Sequence, residues 1–205
     1  MTPELQQKIA KIYELVKRGT DGEQAAAKKK LDSILAKYDL DNIDLDSLDK
    51  MEYTFKYGNN LELNLLTYLV RFLLDNHEWV FENAYRRTWD KSIVMKLSYV
   101  DQVNVSCAFE YFRRHMKTQW TKTFLPEVNK CRKAKTKNKR RAELQTAFFN
   151  SYMIKSGLIP EQYIERVDLD LQNMSDKEYR EWLMRKQIEG GQYNKQMHTG
   201  LLLEN

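Results

Sequence analysis

The sequence predicts an α+β, predominantly helical protein: an N-terminal helical hairpin, a small antiparallel sheet of about three strands packed by helices, and a helical C-terminal part. Only 7 Gly and 3 Pro occur in 205 residues, too few for a turn-rich β protein. Apolar residues recur at helical spacing along most of the chain. Three short segments have the composition of strands instead: residues 51–57, 79–87 and 92–97.

The N-terminal hairpin is predicted from two helices and a tight turn. Residues 3–17 carry apolar side chains at every third or fourth position: Leu5, Ile9, Ile12 and Val16. Gly19 then ends the first helix. Thr20 and Glu23 match a capping box, which begins a second helix that runs to about residue 38. A turn this short predicts that the two helices pack antiparallel.

An acidic run at residues 39–49 follows the hairpin and contains five aspartates. It marks the one candidate domain boundary. A hairpin with its linker (1–50) would precede an α+β body (51–205), and the alternative is that both form one compact domain. A calcium loop needs Gly at its sixth position and Glu at its twelfth. Those positions hold Asp44 and Lys50. The acidic run is therefore interpreted as a solvated connector. The alternative is that it folds onto the basic residues described below.

The body begins with the strand at residues 51–57, in which apolar and polar residues alternate. A strongly apolar helix is predicted at residues 61–76. Segments 79–87 and 92–97 are predicted to form a β-hairpin through residues 88–91, although the connection lacks an Asn-Gly pair.

The C-terminal part is predicted to be helical. Ser98 caps a long helix, whose buried stripe is Val105, Phe109, Phe112, Met116 and Trp120. Pro126 kinks or ends that helix. Helical propensity continues from 127 to 156, where Gly157 ends it, and Pro160 opens a short helix. A second capping box at residues 175–178 starts a final helix that Gly190 and Gly191 end.

The charge of the chain is strongly polarised. Residues 113–141 contain twelve Lys and Arg and one acid, so they carry +11, whereas the whole chain carries +5 and the remainder therefore −6. The densest part, called the basic segment here, is residues 130–141. Its cations are Lys130, Arg132, Lys133, Lys135, Lys137, Lys139, Arg140 and Arg141.

Nucleic-acid phosphate is the partner that best explains the basic segment, since clustered cations repel one another unless an anion screens them. Two arginine pairs are expected to extend the contact: Arg86 with Arg87, and Arg113 with Arg114. An acidic protein surface and a solvated face without a partner are the alternatives. Trp120 and Phe124 flank the segment, but their spacing favours a core position over base stacking. No exposed apolar face adjoins the segment, so no membrane partner is expected.

No motif in the sequence indicates catalysis, a metal or a cofactor. The three histidines, His77, His115 and His198, are far apart, and no zinc-binding spacing occurs. Cys107 and Cys131 suit reduced thiols rather than a secreted disulfide framework. The N-terminus is polar and no apolar stretch is long enough to span a bilayer, so the cytoplasm is the expected location. The protein is therefore predicted not to be an enzyme.

The opening hairpin resembles a family of phage and mobile-element proteins of unknown function. The matching residues are Lys11, Ile12, Leu15, Gly19, Glu23, Ala26, Ala27, Leu31, Tyr38 and Leu40. Residues 147–149 and 159–160 look like the C-terminal helix end of that family. The family has no activity that any residue inherits. The resemblance implies only a setting, namely phages or integrated elements in a bacterial host cell.

In that setting, the sequence predicts a non-enzymatic module that binds RNA, DNA or a nucleoprotein complex. A phage-encoded inhibitor of a host defence nuclease, of the anti-CRISPR type, is its concrete form, acting at the guide RNA or its channel. A phage assembly protein that contacts packaged DNA is one alternative. A metal-dependent nucleic-acid enzyme is the other, and it requires a carboxylate cluster that only folding can create.

Overall fold

The structure, a computed structural model, describes residues 2–38, 40, 45, 50–159, 161–164 and 174–193. The described residues form eight α-helices, one 3₁₀ turn and three strands, which confirms the predicted fold class. In chain order they are α1 (Pro3–Arg18), α2 (Asp21–Lys37), β1 (Met51–Lys56), α3 (Asn60–Leu73), α4 (His77–Glu82), β2 (Tyr85–Arg87), β3 (Ser92–Leu97), α5 (Tyr99–Thr123), α6 (Leu125–Asn129), α7 (Ala134–Lys155), the 3₁₀ turn (Glu161–Tyr163) and α8 (Asp176–Gln187).

The N-terminal hairpin forms as predicted. At the start of α2, the Glu23 carboxylate accepts hydrogen bonds from the backbone N–H of Thr20 at 2.9 Å and from its hydroxyl at 2.8 Å. The backbone bond, then the hydroxyl bond, lowers the pKa of Glu23. The two helices pack through a buried cluster of Ile9, Ile12, Leu15, Ala27 and Leu31. Of the predicted apolar stripe of α1, Ile9 and Ile12 are buried in this cluster, whereas Leu5 and Val16 are partly buried against it.

The sheet is antiparallel, with strand order β1-β3-β2. Lys56 of β1 and Arg87 of β2 both lie opposite Ser92 of the central strand. Since side chains alternate along a strand, Lys56 and Arg87 share one face of the sheet. The other face carries buried residues, among them Phe55 and Met95. The face with Lys56 and Arg87 also contains the buried residues Ser92 and Val94, so each face of the sheet is partly covered.

Two predicted elements differ from the structure. Residues 79–82, predicted as strand, belong to helix α4, in which Val80 is buried and the Asn83 side chain donates to the Trp79 carbonyl at 2.9 Å. The aromatic and β-branched composition of this run favoured a strand, but burial of one helical side decided the outcome. The helix predicted across residues 127–156 is interrupted between α6 and α7. Most of the acidic run, Pro160, His198 and residues 194–205 of the tail lie outside the described residues.

The chain divides into two compact units. One, called the sheet unit, contains α1, α2, the strands, α4 and the start of α5. The other, called the helical unit, contains most of α3, the rest of α5, and α6 to α8. An aromatic core fills the helical unit, where the rings of Phe124 and Phe148 lie 5.3 Å apart and Tyr152 is fully buried. The predicted boundary near residue 50 stays a prediction.

Candidate nucleic-acid interface

The basic segment consists of a short connection followed by the start of a helix. Lys130 ends α6, and α7 begins at Ala134 with Lys133 at its N-cap position. The remaining cations, from Lys135 to Arg141, therefore lie on the first two turns of α7. The structure places all eight cations within one stretch of the helical unit.

Two cations of the segment have structural partners. Lys130 Nζ lies 2.6 Å from a carboxylate oxygen of Glu127, and this hydrogen bond is the main cause of the lowered pKa of Glu127. Arg140 lies 2.6 Å from Glu181 on α8 and 3.4 Å from Glu143. Burial works to lower the pKa of Arg140, but the two carboxylates outweigh it and the pKa lies above the usual value. Arg140 therefore stabilises the contact between α7 and α8, whereas Lys130 forms an exposed, local ion pair at the end of α6.

Six cations are left, and they have no ion-pair partner among the residues that the structure describes. We call them the unpaired cations: Arg132, Lys133, Lys135, Lys137, Lys139 and Arg141. Four of them are exposed and two, Lys137 and Arg141, are half-buried. Within the part of the chain that the structure describes, six positive charges therefore lie on a short stretch of surface without an ion-paired acid.

The start of α7 is electrostatically unfavourable. Its first turn holds no acidic residue, and the Lys133 side chain cannot accept a hydrogen bond from the free backbone N–H groups. The N-terminus of a helix carries a partial positive charge, which disfavours nearby cations. Lys133 therefore occupies the N-cap position, where Ser or Asp stabilises a helix, and Lys135 lies in the first turn, where Glu does so. A bound anion would relieve both the uncapped amides and the repulsion between the side chains.

The two arginine pairs differ from the basic segment. Arg113 and Arg114 both approach Glu110, at 3.8 and 3.6 Å, so one acid offsets part of their charge. Arg86 Nε donates to the Tyr57 hydroxyl at 2.5 Å, and Arg87 donates to the Tyr85 hydroxyl at 2.9 Å.

The Tyr85 hydrogen bond is the main cause of a raised pKa of Arg87. Arg113 and Arg114 belong to the helical unit, whereas Arg86 and Arg87 belong to the sheet unit.

Of the two aromatic residues next to the basic segment, Phe124 lies in the core, as its spacing predicted, whereas Trp120 is half-buried. Phe124 is fully buried, and the Trp120 ring packs 5.3 Å from Phe148. Trp89, in the connection between β2 and β3, was not predicted as a functional residue, but its side chain is 80% exposed. A tryptophan between polar residues in a short β-hairpin turn is the only pattern that points to such exposure.

Several further observations concern catalysis and metals. Within the described residues, no group of three or more His, Cys, Asp or Glu side chains is placed to hold a metal ion. Both cysteines are free thiols. His115 Nδ1 lies 3.0 Å from the Tyr152 hydroxyl, and burial raises the pKa of that tyrosine. This pair lies in the aromatic core, where its hydrogen bond satisfies two polar groups.

Comparison with known proteins adds no relative: no family model, curated protein or solved structure matches the chain. The resemblance of the hairpin to phage and mobile-element proteins therefore stays a prediction. Among the described helices, none is sufficiently long and apolar to cross a membrane.

Proposed function

We propose that this protein is a non-enzymatic module that binds nucleic acid, alone or within a nucleoprotein complex, through the unpaired cations of the basic segment. The observation that carries the proposal is the arrangement of these six side chains around a helix start without an acid or a cap. Natural sequences tolerate such local destabilisation mainly where a function requires it. A phosphate backbone supplies regularly spaced anions that match a row of cations.

The distribution of partners within the segment supports this assignment. Arg140 has a carboxylate partner on α8, Glu181, which holds the start of α7 in place, so the cations on α7 project from a fixed backbone. A fixed backbone reduces the conformational entropy lost on binding. An acidic protein surface is the competing partner, and the response to salt and to nucleic acid type separates the two.

The first test is fluorescence anisotropy with labelled single-stranded RNA and duplex DNA. If the six unpaired cations all contact phosphates, log K falls against log salt with a slope of about −4 for a single strand and about −5 for a duplex. Affinity should therefore drop by about two to three orders of magnitude between about 50 and about 200 mM salt. A salt-independent interaction, or none, contradicts the proposal.

A charge-matched pair of variants locates the site. Lys133→Glu/Lys135→Glu/Lys139→Glu reverses three exposed cations of the basic segment, and Lys28→Glu/Lys29→Glu/Lys30→Glu makes the same change of charge on α2. We expect the first variant to abolish binding and the second to leave most of it intact. An equal loss in both would show that binding follows net charge rather than this surface.

The resemblance to phage and mobile-element proteins supports a concrete form of this function: inhibition of a host RNA-guided nuclease at its guide RNA or guide channel. Its test is target cleavage by such a nuclease, with the wild type and the basic-segment variant added before or after guide loading. Inhibition that only the wild type shows would support this form. Rings or large particles in size-exclusion chromatography would instead support an assembly protein.

A further inference from the structure

The connection between β2 and β3, residues 88–91, displays the most exposed large hydrophobic side chain described in the protein. We call this connection the hairpin tip. Trp89 lies in the middle of the hairpin tip, and its side chain is 80% exposed. Tryptophan is enriched at binding interfaces, where its large ring supplies much of the binding energy, so an exposed tryptophan is a candidate contact residue.

The hairpin tip is held in a defined conformation although Trp89 is exposed. The Lys91 carbonyl accepts a hydrogen bond from the Tyr57 backbone N–H at 3.0 Å, and Lys91 adopts a positive φ of 51° that closes the turn. The Ser92 hydroxyl donates to the Asp90 carboxylate at 2.6 Å. The indole is therefore presented from a fixed backbone, which lowers the entropic cost of binding.

The surroundings of the tip are cationic. Lys56 and Arg87 lie opposite Ser92 on one face of the sheet, at the end next to the tip, and Lys91 is exposed within the tip. Arg87 is oriented by Tyr85, whose ring lies 5.4 Å below the guanidinium carbon. Asp90 is the acid within the tip, and its carboxylate accepts the Ser92 bond. The partner is therefore expected to combine flat apolar surface with negative charge.

A single-stranded nucleic acid has both properties, because its bases expose π faces and its backbone carries phosphates. A duplex hides the faces of its bases inside the stack, so an exposed indole gains little from it. An acidic protein patch supplies the charge, but its carboxylates offer no flat surface to the ring.

We propose that the hairpin tip binds single-stranded nucleic acid, with Trp89 stacked on an unpaired base and Lys56, Arg87 and Lys91 in contact with the flanking phosphates. The class of partner rests on the proposed function. The site itself lies on the sheet unit and not on the basic segment, so the two can be tested separately.

The experiment measures binding of a labelled oligothymidine of about twelve nucleotides and of a duplex by four proteins. Trp89→Ala removes the stacking ring, Trp89→Phe keeps an aromatic face, and Tyr163→Ala removes another exposed aromatic side chain, 72% exposed, as a control. Thermal unfolding confirms that each variant is folded. We expect Trp89→Ala to weaken single-strand affinity by about ten-fold or more, since stacking on one aromatic side chain has that magnitude.

Trp89→Phe should retain most of the affinity, and Tyr163→Ala should match the wild type. Duplex affinity should be the same in all four proteins. Quenching of the wild-type tryptophan emission by the oligonucleotide should disappear in Trp89→Phe, which still binds.

Single-strand binding that Trp89→Ala leaves unchanged overturns this inference and leaves the proposed function standing. Loss of affinity in Trp89→Ala, together with full affinity in the basic-segment variant, overturns the role of the basic segment and supports the tip. If neither oligonucleotide binds the wild type, both proposals fall, and a protein partner becomes the explanation for Trp89.

Discussion

The guanidinium of Arg140 lies 2.6 Å from a carboxylate oxygen of Glu181 and ties the start of α7 to α8. Only 14% of the Arg140 side chain is exposed, whereas its neighbour Lys139 is exposed and has no ion-pair partner among the described residues. Two adjacent cations of the basic segment therefore have different roles. Arg140 holds two helices together, and Lys139 remains available to an external anion.

Arg140→Ala should destabilise the helical unit. The change removes a charged hydrogen bond and leaves the Glu181 carboxylate, itself largely buried, without its partner, so we expect a loss of about 1.5–3 kcal/mol in the free energy of unfolding. Lys139→Ala, with the same loss of charge one residue earlier, should stay within about 0.5 kcal/mol of the wild type. Urea denaturation measures both. Equal effects would contradict the structural role of Arg140.

Lys133→Asp should stabilise the protein and weaken nucleic-acid binding at the same time. Aspartate at the N-cap position accepts a hydrogen bond from a free N–H of α7 and favours the helix dipole, which contributes about 1 kcal/mol. The same change removes one phosphate contact and reduces the salt slope by about 1. Thermal unfolding and anisotropy report the two quantities.

Lys28→Asp is the control for this variant, because it makes the same change of charge inside α2, where no cap can form. It should leave binding nearly unchanged and give no stabilisation. A Lys133→Asp protein that is no more stable than the wild type would show that the missing cap and the nearby cations do not destabilise the start of α7.

The elements with a local cause were predictable from the sequence. The capping boxes at Thr20 and Ser175 fix helix starts through contacts within four residues, and Gly157, with a φ of 65°, ends α7 as expected. The alternation in residues 51–57 gave β1 because one face of that strand is buried.

Contacts between distant residues were not predictable. No local pattern shows that Arg140 has Glu181 as a partner, 41 positions away. Likewise, residues 79–82 have the composition of a strand, yet they form helix α4, in which Val80 is buried. The sequence thus located the basic segment, whereas the structure distinguishes its six unpaired cations from Lys130 and Arg140, which have carboxylate partners.

The capping box of α8 should make stability depend on pH. The Glu178 carboxylate accepts hydrogen bonds from the Ser175 hydroxyl at 2.7 Å and from its backbone N–H at 2.9 Å, and in that order these bonds lower the pKa of Glu178. A carboxyl whose pKa is lower in the folded than in the unfolded state contributes stability above its unfolded pKa. That contribution disappears as the pH falls through the folded pKa.

Glu178→Gln should therefore lower the melting temperature near neutral pH, and the difference from the wild type should narrow below about pH 4, the ordinary range of a glutamate. Melting temperatures of both proteins across this range are the measurement. A difference that stays constant with pH would mean that the carboxylate charge is not what stabilises the helix start.

Gly190→Ala should destabilise the helical unit. A Cβ at this position would meet the backbone carbonyl of Lys155, at the end of α7, and would lie 2.8 Å from the Ser156 nitrogen. Neither backbone atom can move without breaking the end of the helix. There, Lys155 Nζ also donates to the carbonyls of Lys186 and Ile188, each at 2.8 Å. Overpacking against backbone should cost about 1–3 kcal/mol in the free energy of unfolding.

Gly22→Ala provides the matched control for that change. Gly22 lies in the first turn of α2, and a Cβ there has no neighbour within 4 Å. Alanine restricts the unfolded chain more than glycine does, so this variant should be more stable than the wild type by about 0.4–1 kcal/mol. Urea denaturation measures the free energy of unfolding of both variants. If Gly190→Ala lowers it and Gly22→Ala raises it, residue 190 is a glycine because the chain passes close to α7. A neutral Gly190→Ala would show that this close approach is not a fixed feature of the fold.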